Sequence, residues 1–264
     1  MAVPMIRKSV KEEYEARIEQ AAVLVLQART VIAFSGAGIS TESGLSDFRS
    51  PGGLWDRYRT VSYHEFMTSE EARAEYWRML RELIPGLLAA RPNPAHFALA
   101  KFQEMGRLQA VITQNIDGLH QAAGYDPVIE LHGTIMSASC MICRERWPIE
   151  MIRDRLEAGE AVPRCKDCGG LIKPDTISFG QAMPEREMAA AFDWAKRCDL
   201  LLMIGSSLEI RPASLVPVAA AESGAKLVFV NRTTTPSDSL AALRFTEAAG
   251  KVLSDIVEIV CSPD

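Results

Sequence analysis

Histidine and cysteine are scarce in this chain, four and six in 264 residues. A chain of this length buries enough of its surface to need no disulfide staple. Four of the cysteines fall in two C-x-x-C pairs, which in a reducing compartment points to metal binding. Long apolar runs are missing too. No stretch reaches the ~18 apolar residues of a membrane span. The leading segment MAVPMIRKSVKEEYEAR has no secretory apolar core. No membrane partner and a cytoplasmic location are therefore expected. Basic charge is not in surplus: 29 Lys and Arg against 34 Asp and Glu give a formal net charge of −5. That argues against nucleic acid as a partner, which would favour a basic face. Internal repeats and low-complexity segments are absent. What remains is a globular composition, 48% apolar and 24% charged. The length suits one large domain or one domain with an insertion.

Short apolar runs alternate with helical patterns. Ser9 and Glu12 form an S-x-x-E capping box before a helix over 9–28, with Val10, Tyr14, Ile18, Ala21, Ala22 and Val25 at helical spacing. The strand candidates are 31–34, 110–113, 128–131, 200–204 and 227–230. They lack polar alternation, as strands buried on both faces do. Helices are expected around 95–105, 185–197, 213–222 and 247–260. This rhythm predicts an α/β fold: a doubly wound, Rossmann-like parallel sheet with helices on both faces. Residues 45–95, with a helical pair over 69–90, and residues 135–174, a coil-rich stretch holding the paired cysteines, break the rhythm. The expected organisation is a large domain of about 1–44, 96–134 and 175–264. A smaller domain is built from the helical insert 45–95 and the zinc insert 135–174.

Polar and small residues gather at the strand ends, where open parallel sheets bind ligands. After the first strand, Gly36 and Gly38 allow close backbone approach, and a helix beginning beyond them would aim amides at a phosphate. Position 41 is Thr, so the third glycine of a dinucleotide fingerprint is missing; the turn reads equally as a nucleotide site or a plain strand-to-helix turn. Gln114, Asn115 and Asp117 follow the second strand and suit either ribose and amide hydrogen bonds or helix capping. His132 ends the third strand and can act as a general base or be structural. Gly205, Ser206 and Ser207 suit a phosphate or ribose contact, and Asn231 an adenine-side ribose; turn chemistry explains both as well. Cys140-x-x-Cys143 and Cys165-x-x-Cys168 are separated by 21 residues. That spacing points to one tetrahedral zinc, closed by four thiolates and hence structural. The rival, a redox pair, needs one C-x-x-C beside a βαβ unit. Cys198 and Cys261 read as inert core thiols.

The segment Gly36-Ala37-Gly38-Ile39-Ser40-Thr41-Glu42-Ser43-Gly44-Leu45-Ser46-Asp47-Phe48-Arg49 resembles the sirtuin signature GAGIS-x-x-SGIPDFR. TQNIDGLH over 113–120, ELHG over 130–133, GSSL over 205–208 and the Val230-Asn231 pair match further sirtuin motifs in the family's order. The resemblance covers about residues 30–250. It implies NAD as co-substrate, held by Gly36, Ala37, Gly38, Ile39, Glu42, Asp47, Phe48 and Arg49 at the first loop. Gln114, Asn115, Ile116 and Asp117 would serve the nicotinamide end. Gly205, Ser206, Ser207, Asn231, Arg232 and Ala249 would serve the rest of the cofactor. It implies His132 as the catalytic base, with Asn115 beside it. Phe179-Gly180-Gln181 and Leu208-Glu209-Ile210 would be two edges between which a substrate peptide adds as a strand. Ser46 stands where the family has proline, so this loop is expected to be more mobile and NAD affinity lower.

The implied activity is NAD-dependent removal of acyl groups from protein lysines, releasing nicotinamide and O-acyl-ADP-ribose. The partners would be acylated-lysine proteins or peptides, and a monomer is expected. Protein mono-ADP-ribosylation, NAD hydrolysis and a non-enzymatic zinc-ribbon module are the alternatives. Relatives that take succinyl or malonyl groups carry a Tyr-x-x-Arg pair on the helix near 70–85. Here Tyr76 is followed at that offset by Met79. An anionic acyl group needs a fixed cation, so acetyl or another uncharged acyl group is expected, with succinyl, malonyl or longer chains as alternatives.

Overall fold

A computed structural model describes residues 9–45 and 58–262. Asp47, Phe48, Arg49 and the Ser46 substitution lie outside the described residues. Helix α1 (Val10–Gln27) begins at the capping box of Ser9 and Glu12. Strand β1 (Val31–Ser35) leads into a 3-10 turn, Ala37–Ser43. Next come α2 (Tyr63–Thr68), α3 (Glu70–Ala89), α4 (Pro94–Glu104), β2 (Ala110–Thr113), α5 (Leu119–Ala122) and β3 (Val128–Glu130). Then β4 (Gly133–Cys140), β5 (Arg146–Pro148), α6 (Ile149–Glu157), β6 (Ile172–Thr176), α7 (Glu185–Arg197) and β7 (Leu200–Ile204) follow. The chain closes with α8 (Leu215–Glu222), β8 (Lys226–Val230), β9 (Leu243–Phe245) and α9 (Ala249–Cys261).

Six strands form one parallel sheet in the order β3-β2-β1-β7-β8-β9. The chain moves outward from β1 through β2 to β3, then returns to β7 on the other side of β1. That reversal opens a crevice between the carboxyl ends of β1 and β7, where doubly wound sheets bind ligands. Every residue of β1 and β7 is buried. Strand alternation divides them: Val31 and Ala33 join α1, α4 and α9 on one face through Ile18, Leu99 and Ile256. Ile32 and Phe34 join α7 and α8 on the other through Ala191, Val216 and Ala220. This sandwiching, helix on both faces of a parallel sheet, is the predicted architecture.

A second, antiparallel sheet has the order β5-β4-β6. Here the structure corrects the sequence reading. Residues 135–174 are not coil-rich, because β4, β5, β6 and α6 organise them. Ile135, Ala138, Ile152, Leu156 and Ile172 pack with Phe66, Trp77, Leu80 and Ile84 of the helical insert. The two inserts share one apolar cluster, so burial and metal can act together. Pro174 sits within β6 at the sheet edge, where a missing amide breaks no ladder bond.

The helical pair over 69–90 is a single helix, α3, with Pro85 inside it. Proline removes one internal hydrogen bond. Pro85 is exposed, so the freed carbonyl can turn to water. The short α2 stands just before it, with its own capping box of Ser62 and Glu65. Cys198 is buried as read, but Cys261 is exposed at the end of α9 and is not a core thiol.

Candidate active site

The two loops that close the crevice cross each other at van der Waals limit. Gly36 N donates to Ile204 O at 3.0 Å, and Gly38 N to Gly205 O at 2.8 Å. A Cβ on Gly38 would lie 2.7 Å from Gly205 Cα. One on Gly205, whose φ is +61, would lie 2.3 Å from Ile39 N. These glycines are therefore required by chain-on-chain packing whatever ligand lies above them. The turn beyond is 3-10 rather than the expected α-helix, and it ends at Gly44 in the left-handed region, φ 82.

Beneath this turn lies a buried polar cluster. Ser40 Oγ donates to Asp117 Oδ2 at 2.7 Å, and Asn115 Nδ2 donates to Ser40 Oγ at 3.1 Å. Asp117 Oδ1 also accepts from Leu119 N at 3.0 Å, so Asp117 caps the following turn while it faces the cleft. Capping and ligand contact coexist in that residue's geometry. Ser40 links both side chains. The sequence carried it inside the signature without marking it, because a lone hydroxyl gives no periodic signal.

His132 does not end the third strand: it lies in the two-residue turn between β3 and β4, just before Gly133. Its Nδ1 is 2.9 Å from the backbone oxygen of Gln114, whose Nε2 in turn donates to Ser206 Oγ at 2.7 Å. Burial pushes the imidazole below the ordinary histidine range, and the Gln114 contact only partly opposes this. The result is a neutral ring at pH 7.

One cleft of about 1070 Å³ connects these groups. It brings together Gly36, Ala37, Gly38, Glu42, Gln114, Asn115, Ile116, Asp117 and His132. From the far strands it adds Gly205, Ser206, Ser207, Asn231, Arg232 and Ala249. Phe179, Gly180, Gln181, Glu209 and Ile210 line it as well. Ile39 and Leu208 do not, since their side chains are buried in the two faces of the large core. Leu208 adopts a left-handed backbone, φ 56, and its amide donates to Ser206 Oγ at 3.2 Å. Asn231 spends its Nδ2 on Thr233 O at 2.9 Å, which leaves Oδ1 for a partner. Glu42 accepts from Gly250 N at 2.9 Å and so caps α9, whose first residue is Ala249. Sequence reasoning missed Val61, Leu83 and Ile135 on the apolar wall. They look like ordinary core positions until the fold places them on the wall of the cleft that His132 also lines.

The other three histidines are elsewhere. His64 belongs to α2. His96 and His120 are buried with ring centroids 5.0 Å apart.

The four paired cysteines converge. Their Sγ atoms all lie within 4.8 Å of one another. Cys140 and Cys168 are 3.4 Å apart, and Cys143 and Cys165 are 3.7 Å apart. Tetrahedral zinc with bonds of about 2.3 Å requires sulfurs roughly 3.8 Å apart. Gly170 completes the cradle: a Cβ there would fall 2.6 Å from Cys140 Sγ. The donor set and geometry fit one structural zinc, with no open position for catalysis.

Residues 36–212 match the model of the Sir2 family. The chain belongs to the Sir2 family, the sirtuins. Among its relatives, the "NAD-dependent protein deacetylase" of Thermodesulfovibrio yellowstonii is 47% identical over 94% of this chain and 97% of its own length. The "NAD-dependent protein deacetylase 1" of Bradyrhizobium diazoefficiens is 41% identical over 94% and 98%. A solved structure described as "Sir2-p53 peptide-NAD+" superposes with a TM-score of 0.85 at 36% identity, covering 92% of this chain and 98% of that one.

Proposed function

We propose that this sirtuin is an NAD-dependent protein lysine deacylase that releases nicotinamide and O-acyl-ADP-ribose. The observation that carries the reading is the one cleft lined both by His132 and by the Ser40–Asn115–Asp117 cluster. Bound NAD supplies an activated ribose carbon with nicotinamide as its leaving group. Asn115 and Asp117 hold the nicotinamide end, and Gly36–Gly38 with Gly205–Ser207 hold the pyrophosphate side. Asn231, Arg232 and Ala249 take the adenosine side. By the same reading Asp47, Phe48 and Arg49 complete the first loop.

His132 takes a proton from a ribose hydroxyl. A backbone carbonyl can only accept, so Nδ1 carries the hydrogen and Nε2 keeps its lone pair. Phe179–Gln181 and Leu208–Ile210 receive the substrate peptide as an added strand, which gives main-chain affinity with modest sequence selectivity. The four cysteines hold zinc and brace the shared core of the two inserts. Those three apolar clusters support the division into a large domain of about 1–44, 96–134 and 175–264 and a smaller one of 45–95 with 135–174. No described helix is long and apolar enough to cross a membrane. A cytoplasmic monomer acting on acylated proteins, with no nucleic-acid partner, completes the reading.

The test is mass spectrometry of an acetyl-lysine peptide with and without NAD. Loss of the acetyl group only with NAD, together with O-acetyl-ADP-ribose, is the expected result. NAD consumed with label retained on protein would assign a transferase instead, and NAD consumed with neither outcome a hydrolase.

A further inference from the structure

Lys173 lies in β6 and is buried, 2% exposed. A lysine at that depth is rare unless it is paired. Among the described residues it has no ion-pair partner: Asp175, two residues on, accepts from Ser137 Oγ at 2.5 Å and from Arg146 Nε at 2.9 Å. The Nζ of Lys173 donates instead to two backbone carbonyls, Pro174 O at 3.2 Å and Thr176 O at 2.5 Å. Both residues are buried, and a buried carbonyl left unpaired is costly. The sheet alone does not serve this stretch. β6 is an edge strand with β4 on one side only, and its register against β4 breaks between Gly133 and Ala138. An ammonium has three hydrogens and a neutral amine two, so either form can serve both carbonyls, and the clamp is no pH switch.

The corner that Lys173 holds is the one on which the His132 turn rests. Gly133 faces Thr176 across the ladder, and Ile177 N donates to His132 O at 2.8 Å. A Cβ on Gly133, φ +69, would lie 2.0 Å from Asp175 O, so the two backbones touch without slack. Thr176 also lines the main cleft, with its Oγ1 3.5 Å from Tyr76 Oη. A shift of residues 174–177 therefore carries the His132 turn with it. The Gln114 oxygen that meets His132 Nδ1 belongs to the loop after β2 and stays behind. Behind the corner a separate niche of about 220 Å³, lined by Lys173, Ser139 and Arg144, gives the corner room to move.

We propose that Lys173 is a positioning residue for the reaction: by holding Pro174 O and Thr176 O it fixes the corner of β6 that sets the His132 ring in the cleft. This rests on the deacylase reading and adds a residue to the same site. Without the two donors the carbonyls turn toward other partners and the corner relaxes into the niche. The His132 ring then loses part of the packing that desolvates it, and its titration rises toward the ordinary histidine value. Proton transfer suffers because the geometry at the base is lost. The glycine loops that follow β1 and β7 belong to the large sheet and are untouched.

The experiment compares wild type, Lys173→Met and Lys173→Gln. Methionine keeps much of the volume and no donor, and glutamine keeps one amide group with a shorter reach. Steady-state deacetylation of an acetyl-lysine peptide with NAD gives kcat and KM. Proton NMR follows the four histidine rings through pH, with His132 assigned by the signal missing in His132→Ala. The expected result for Lys173→Met is a kcat lower by about tenfold or more, a KM for NAD within about twofold of wild type, and a His132 midpoint raised by about half a pH unit or more. Lys173→Gln should fall between the two, and it carries the same test should Lys173→Met not fold. An unchanged His132 midpoint overturns the proposal whether or not kcat falls. So does a raised midpoint with kcat unchanged, or a loss that falls on the KM for NAD. Absence of NAD-dependent turnover in wild type overturns the deacylase reading instead, and the midpoint, which needs no turnover, still decides whether Lys173 places the ring.

Discussion

The Nδ1 of His132 sits 2.9 Å from the carbonyl oxygen of Gln114, and Gln114 reaches across to Ser206 on the opposite side of the crevice. One residue thus fixes the tautomer of the His132 ring and ties together the loops that follow β2 and β7. Replacing His132 by Ala should lower kcat by roughly 10² to 10⁴, the usual contribution of a general base. Burial holds the ring below its ordinary range. In the proposed role the ring works when neutral, so kcat/KM should be flat from pH 7 upward and fall only on an acid limb below ~6.5. Steady-state profiles of wild type decide this. A limb centred above pH 7 would contradict the desolvated environment, and a His132→Ala variant retaining a tenth of the rate would remove it from the role.

Zinc removal should act through the shared apolar cluster. Cys165 is buried beside Ile172 and faces Cys143 at 3.7 Å. Cys165→Ser is expected to drop bound zinc from one per chain to near zero by elemental analysis. It should also lower the melting temperature, because binding energy of a structural site is folding energy. The parallel sheet, with its own two clusters, should keep most of its helix signal by circular dichroism. A variant that keeps full zinc would show that the four thiolates are not its ligands.

The crossing of Gly38 and Gly205 gives a graded pair. Gly38→Ala places a methyl 2.7 Å from a backbone carbon, and Gly205→Ala adds a left-handed backbone to a 2.3 Å clash. Both should lose stability by more than about 1 kcal/mol, with Gly205→Ala the worse. Calorimetric titration with NAD should show affinity lost in parallel. By contrast Gly224→Ala, at φ +93 but with open space around it, should cost stability and leave NAD affinity alone.

What could be read without the fold follows from which signals are local. The strands of the large sheet are buried on both faces and show as short apolar runs, so Val31–Ser35 and Leu200–Ile204 stand out. The small sheet did not, because β5 is three residues long and β6 contains Pro174, which demotes a strand on sequence grounds. Strand β9 is equally short and sits at the sheet edge. The cleft residues were legible where they fall in contiguous motifs, as at Gly36–Gly38 and Gln114–Asp117. The apolar wall was not, since Val61 comes from a loop, Leu83 from α3 and Ile135 from β4, and they come onto one cleft only in space. Ile39 and Leu208 show the converse: they lie within recognisable motifs, yet their side chains serve the core.

The buried pair His96 and His120 should make this fold sensitive to acid. His120 Nε2 shares a hydrogen bond with Ser35 Oγ at 2.8 Å, and His96 Nδ1 accepts from Asn93 N at 3.3 Å. Among the described residues, His96 Nε2 and His120 Nδ1 have no partner, and both are buried. Burial lowers His96 to about 4, against the opposing pull of Asp117 and Glu42. Burial and the neighbouring His96 lower His120 to about 3. Both pKa values lie below the unfolded value of ~6.5. Above that pH neither state binds the proton, and the pair adds no pH dependence. As pH falls from 6.5 toward 4 the unfolded chain takes up protons that the native state refuses, so stability is lost on acidification. The loss reaches about 2 kcal/mol per histidine at pH 5. Urea unfolding at pH 7.5, 6 and 5 measures it, with His96→Leu as the comparison. The variant should show a shallower slope by up to one proton, whatever its absolute stability at neutral pH. Equal slopes in both proteins would mean that the buried pair is already charged in the native state.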